Sequence, residues 1–91
     1  MEWEVYLKDS VHEGKIRELY LKKIPTLKTC DNWKDVKPLG WIDHEMKHSH
    51  YKGALVKLHD KIFFVTERTL NALSPYIKFK IPQIIEVVKD E

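Results

Sequence analysis

Apolar residues recur along this chain with a period of two in some stretches and of three to four in others, and the changes of period divide it into short elements. Trp3, Val5 and Leu7 alternate with Glu2, Glu4, Tyr6 and Lys8, the mark of a strand with one buried face. Asp9-Ser10 then precedes Glu13 at capping-box spacing, and Ile16, Leu19, Tyr20 and Ile24 recur at helical intervals until Pro25. This predicts a helix over 11–24. Gly14 leaves an alternative open, a hairpin turn at 11–15 whose return strand runs through Leu19 and Leu21.

Between Pro25 and Gly53 no long period survives, and Pro38-Leu39-Gly40 marks a turn. A structureless loop of that length is unusual in a small domain, so two short helices are expected there. One lies around Trp33 with Asp31 as cap, the other starts near Asp43 and ends by Gly53. Trp33 and Trp41 are expected to pin this stretch to the core. Further on, 54–58 and 61–65 flank His59-Asp60 as a hairpin with a tight turn. The unbroken apolar run of the second arm predicts a central strand buried on both faces. Thr66 is set to cap a helix over 66–73, with Thr69, Leu70 and Leu73 facing inward. Tyr76, Lys78 and Lys80 alternate with Ile77, Phe79 and Ile81 in a half-exposed strand, and 84–88 supplies a last strand after Pro82. Together these elements predict an α+β fold in a single compact domain over 1–91, a small antiparallel β-sheet packed on one face by two or three short helices.

Composition narrows the function classes only a little. The 91 residues are 43% hydrophobic and 33% charged, with 16 basic and 14 acidic side chains giving +2 at neutral pH. That is far from the strongly basic balance of a dedicated nucleic-acid binder. The five histidines add up to five further charges below about pH 6, so charge alone excludes no partner. Cys30 is the only cysteine, which rules out an intrachain disulfide and a thiolate zinc cluster and suits a reducing compartment. The acidic, alternating start is unlike a signal peptide, and no apolar stretch approaches the ~18 residues of a bilayer span. The expectation is a cytoplasmic protein with no membrane partner.

One string carries chemistry. His44-Glu45-Met46-Lys47-His48, followed by Ser49-His50, places three histidines within seven positions and spells H-E-x-x-H. On a helix the two outer imidazoles stack one turn apart to hold a metal, with the glutamate placed to activate water. Over these five residues the chain resembles the zincin metallohydrolases. The resemblance implies zinc bound by His44 and His48, with Glu45 as general base. His50 cannot join them on the same helix, because two residues turn it about 200° from His48. On extended chain His48 and His50 share a face instead, with His59 or Glu67 to complete a Zn²⁺ site.

Two other groups compete with that string. Tyr76, Lys78 and Lys80 on one strand face, with Lys57 and Lys61 on the neighbouring hairpin and Trp41 nearby, can form a lysine and aromatic platform for a protein or a single-stranded nucleic acid. Histidines beside such a platform would also suit metal-independent RNA cleavage, with His44, His48 or His50 as acid and base. Cys30 reads as a packed, inert thiol. The sequence therefore points to a non-enzymatic binding module that meets its partner through the lysine-lined sheet face and the segment from Trp33 to Tyr51. The alternatives are a zinc-dependent hydrolase built on the histidine string and a histidine-based ribonuclease.

Overall fold

A computed structural model of the chain describes residues 2–73 and 79–90, without the side chains of Glu2 and Trp3. Its centre is a three-stranded antiparallel sheet in the order β2–β3–β4, made of Lys37–Glu45, His50–Leu58 and Lys61–Thr66. Before it come α1 (Glu2–His12), β1 (Lys15–Arg17) and α2 (Glu18–Leu21). After it come α3 (Glu67–Leu73) and β5 (Glu86–Val88), which pairs in parallel with β1. The α+β class and the antiparallel sheet anticipated from the sequence are both present.

The first element is a helix where alternation suggested a strand. Leu7 and Val11, one helical turn apart, are 5% and 1% exposed, whereas Val5, on the supposed buried face, is 60% exposed. The i, i+4 pair thus outweighs the period-two run. The helix stops at Gly14, whose φ of +85° is open to glycine without strain and whose amide closes the last turn on the Val11 carbonyl. Consequently neither the helix over 11–24 nor the hairpin forms as expected. The chain instead runs extended through Ile16, then makes the single turn α2, which Leu21 anchors at full burial.

The helix expected between Asp43 and Gly53 is also absent. Trp41, Ile42, His44 and Tyr51 lie on two paired strands, with His44 opposite Tyr51 and Glu45 opposite His50. Met46 and Ser49 exchange backbone hydrogen bonds to close this hairpin around Lys47-His48. β-branched and aromatic side chains that fill a half-buried pleat prevail here over the helical spacing of the histidines. Near Trp33 the chain forms only a 3₁₀ turn, Trp33–Asp35, capped by the Asn32 side chain rather than by Asp31.

The second hairpin matches its prediction. Leu58 pairs with Lys61 across His59-Asp60, both of which have positive φ, as a two-residue primed turn requires. α3 follows, with Thr66 Oγ1 accepting from the Thr69 amide. The central strand, however, is β3. β4 is buried on both faces because both faces of the sheet are covered. Ile42, Leu55, Ile62 and Phe64 pack against Leu7, Val11, Ile16, Leu21 and Ile85 on one side. On the other, Ala54, Val56 and Val65 meet Trp33, Leu70 and Phe79. α1 and α2 cover the first of these faces, and the short α3 reaches the second through Leu70.

Each edge of the sheet is bridged at one residue by passing chain. Phe64 exchanges backbone hydrogen bonds with Pro25 and Leu27, and Trp41 does so with Gln83 and Ile85. Each contact makes one parallel bridge, Thr26 to Phe64 and Trp41 to Ile84. The last strand thus begins beside β2 at Ile84 and continues beside β1. Of the strand expected around Tyr76, Lys78 and Lys80, residues 74–78 lie outside the described residues, and 79–83 are not in a strand.

Candidate functional site

The histidine string does not converge. Alternation along β2 sends His44 to the face carrying Ile42 and Glu45 to the opposite face, while His48 lies exposed in the hairpin turn. The helical arrangement that the zincin resemblance requires is therefore not formed. The extended alternative fails on length as well. His50 opens β3 and His59 follows its end, so the nine-residue strand separates them by roughly 30 Å. Glu67 does lie at the His50 end, but its carboxylate is 3.6 Å from Lys52 Nζ. Among the described residues no three His, Cys, Asp or Glu side chains are grouped to hold a metal ion.

Two of the three histidines of the string, His44 and His50, pair with carboxylates instead. His44 Nε2 donates to Glu18 Oε2 at 2.9 Å, and both side chains are less than one-fifth exposed. On the other face of the hairpin His50 Nε2 donates to Asp43 Oδ1 at 2.6 Å, with both groups about half exposed. The first pair ties α2 to β2. The second, lying in solvent, contributes little to stability. Each imidazole is oriented by its carboxylate as in an acid–base dyad, yet the two pairs face away from each other across the sheet.

The His44 hydrogen bond holds the Glu18 carboxyl below its ordinary 4.5, helped by the charges of His44, Lys22 and Lys89 and opposed by partial burial. A carboxyl depressed in the folded state stabilises the fold in full above its unfolded value and loses that contribution as pH falls through the lowered one. Glu18→Gln is therefore expected to lower the urea midpoint at pH 7, with the gap to the parent chain closing below about pH 4.5. A gap that stays constant down to pH 3 would show that the charge of Glu18 adds nothing.

Of the lysine platform, the two hairpin lysines do not share a face. Lys57 sits opposite Ile62 and Lys61 opposite Leu58, so the two lysines point to opposite sides of the sheet. Tyr76 and Lys78 lie outside the described residues, Lys80 is exposed, and Trp41 is half-buried in β2. What Lys57 and Lys61 share is an end of the sheet, the β3–β4 turn, where α1 passes close by.

Two open clefts at that end adjoin each other. One, of about 470 Å³, is bounded by Lys8, His12 and Asp9 of α1, Lys57 of β3, and Pro38, Leu39 and Gln83. The other, of about 510 Å³, lies between Glu4 and Leu7 of α1, Lys23-Ile24-Pro25 after α2, and His59, Asp60 and Lys61 of the turn. Lys8 and Ile62 border both and form the ridge between them. Leu39 reaches the first cleft because the register of β2 slips between Pro38 and Gly40; such a bulge redirects one side chain out of the alternation.

Lys8 and Lys61 have no ion pair among the described residues, while Lys57 Nζ lies 3.4 Å from Asp60 Oδ1. Lys8, Lys23 and Leu39 were not candidates from the sequence. The only local sign was the spacing of Lys8 and His12, one helical turn apart, and it was hidden while 2–8 read as a strand. Cys30 is half-buried beside Trp33 in the second core cluster, a free thiol among apolar neighbours. Among the described residues no helix is long and apolar enough to cross a membrane. No protein-family model, no curated protein and no solved structure matches this chain.

Proposed function

We propose that this chain is a non-enzymatic binding module that docks another protein against the sheet end where the β3–β4 turn, α1 and the Pro25 and Pro38 segments meet. One observation carries the reading: two clefts with partly apolar linings and lysines at their rims share a single ridge. Concave apolar surface with a few polar groups at its margin is the usual form of a binding site. His44 and His50 support the same reading by their arrangement, since each directs its Nε2 to a carboxylate of its own and the two pairs lie on opposite faces of the sheet. A single-stranded nucleic acid is the weaker partner. Among the described residues no phenylalanine, tyrosine or tryptophan lines either cleft, and sequence-tolerant binding of single strands relies on stacking bases upon such rings.

Selection from a random peptide library on the immobilised chain, followed by amide NMR mapping of the selected peptides, tests this. Shifts concentrated at Lys8, Lys57, Lys61 and Ile62 are expected. A footprint centred on the Lys47-His48 turn, or binding of oligo(dT) in place of any peptide, would overturn the reading.

A further inference from the structure

Resting on that reading, the geometry points to the class of partner: we infer an acidic segment carrying two aliphatic side chains, seated astride the Lys8–Ile62 ridge with one aliphatic group in each cleft. The lining sets the apolar part. Pro38, Leu39 and Pro82 border the first cleft and Ile24 and Pro25 the second, over core residues Leu7 and Val11 that are themselves buried, and this lining is complementary to branched hydrocarbon rather than to a polar headgroup.

The rim sets the charge. Lys8 borders both clefts and Lys61 borders the second, each without an ion pair among the described residues. Opposing carboxylates satisfy such lysines and fix the register of the partner. The rim also contains Glu4, Asp9 and Asp60, which a uniformly charged phosphate backbone would meet at every approach. A segment with spaced carboxylates can place its charges on the lysines and its apolar groups elsewhere. That difference favours an acidic peptide over a polyanion.

The mode of contact follows from the sheet. Both edges of β2–β3–β4 already have backbone partners, Pro25 and Leu27 on one side and Gln83 and Ile85 on the other. A strand added across Trp41 or Phe64 would have to displace them, which favours recognition through the side chains of the clefts.

The test uses the full chain and three probes: a short synthetic peptide of alternating glutamate and leucine, the same peptide with lysine for glutamate, and oligo(dT). The glutamate peptide is expected to shift the amides of Lys8, His12, Lys61 and Ile62, and to bind more weakly as salt rises. Charge reversal in Lys8→Glu/Lys61→Glu is expected to weaken it about tenfold and to create binding of the lysine peptide. Both lysines are exposed, so an unchanged thermal melt verifies that the variant is folded. If the lysine peptide or oligo(dT) binds the parent chain at these residues as well as the glutamate peptide does, the inferred partner is wrong while the docking surface stands. If no probe shifts these residues, both fail.

Discussion

Replacing Gly53 with alanine is expected to cost the fold about 3 kcal/mol, the upper end of what overpacking a sheet or core exacts. In a domain this size that lowers the melting temperature by roughly 12–24 °C. Gly53 lies in β3 opposite Thr66, and a β-carbon there would overlap the Val65 carbonyl oxygen and come within 2.9 Å of Thr66 Cα. These are backbone atoms, which cannot rotate aside as the end of a side chain can. β3 and β4 would have to separate where the chain turns into α3. Thermal melts of Gly53→Ala beside the parent chain check this. A loss below about 1 kcal/mol would mean that the two strands can part at this point with little cost to the sheet. The contrast is Gly40, where an added β-carbon meets the Ile85 side chain; a side chain can repack.

Leu21→Ala is expected to cost about 2–5 kcal/mol, a large share of the 5–15 kcal/mol typical of a native domain. α2 is a single turn, far too short to hold its own conformation, and Leu21 is its one buried side chain. Removing that side chain leaves the turn fastened by Glu18 to His44 and by the half-buried Tyr20 ring. Hydrogen exchange distinguishes a local from a global effect. The amides of Lys22, Lys23 and Ile24, which close on Glu18, Tyr20 and Leu21, should lose protection before those of β3. Loss of protection at the same rate throughout would show that α2 is not a separable unit.

How much of this was legible in the sequence depended on whether the deciding partner was local. The hairpin around His59-Asp60 and the helix capped by Thr66 were readable because turn residues, cap and apolar runs lie within a few positions of one another. α1 was misread because alternation from Glu2 to Lys8 fits a strand while Leu7 and Val11 fit a helix, and only the core they enter decides between them. β2 was hidden by Pro38 and Gly40, which read as a turn and instead flank a bulge. The turn at Lys47-His48 carries neither glycine nor asparagine to announce a hairpin. The histidine string was conspicuous in sequence for its spacing alone, and that spacing matters only on a helix. The candidate clefts were least legible of all, since Lys8, Lys23, Leu39 and Lys61 come from four separate elements or connections.

The pairing of β1 with β5 has a further consequence, in the order of folding. Lys15 finds its partner in Glu86, so a strand near one end waits for a strand near the other. The two hairpins, whose pairings are short-range, can close while the rest of the chain is still searching. Parallel contacts between distant positions form slowly because a long loop must close before they gain anything. The N-terminal layer should therefore be the last to lock, and a pulse-labelling experiment should find Ile16 unprotected when Leu55 is already shielded.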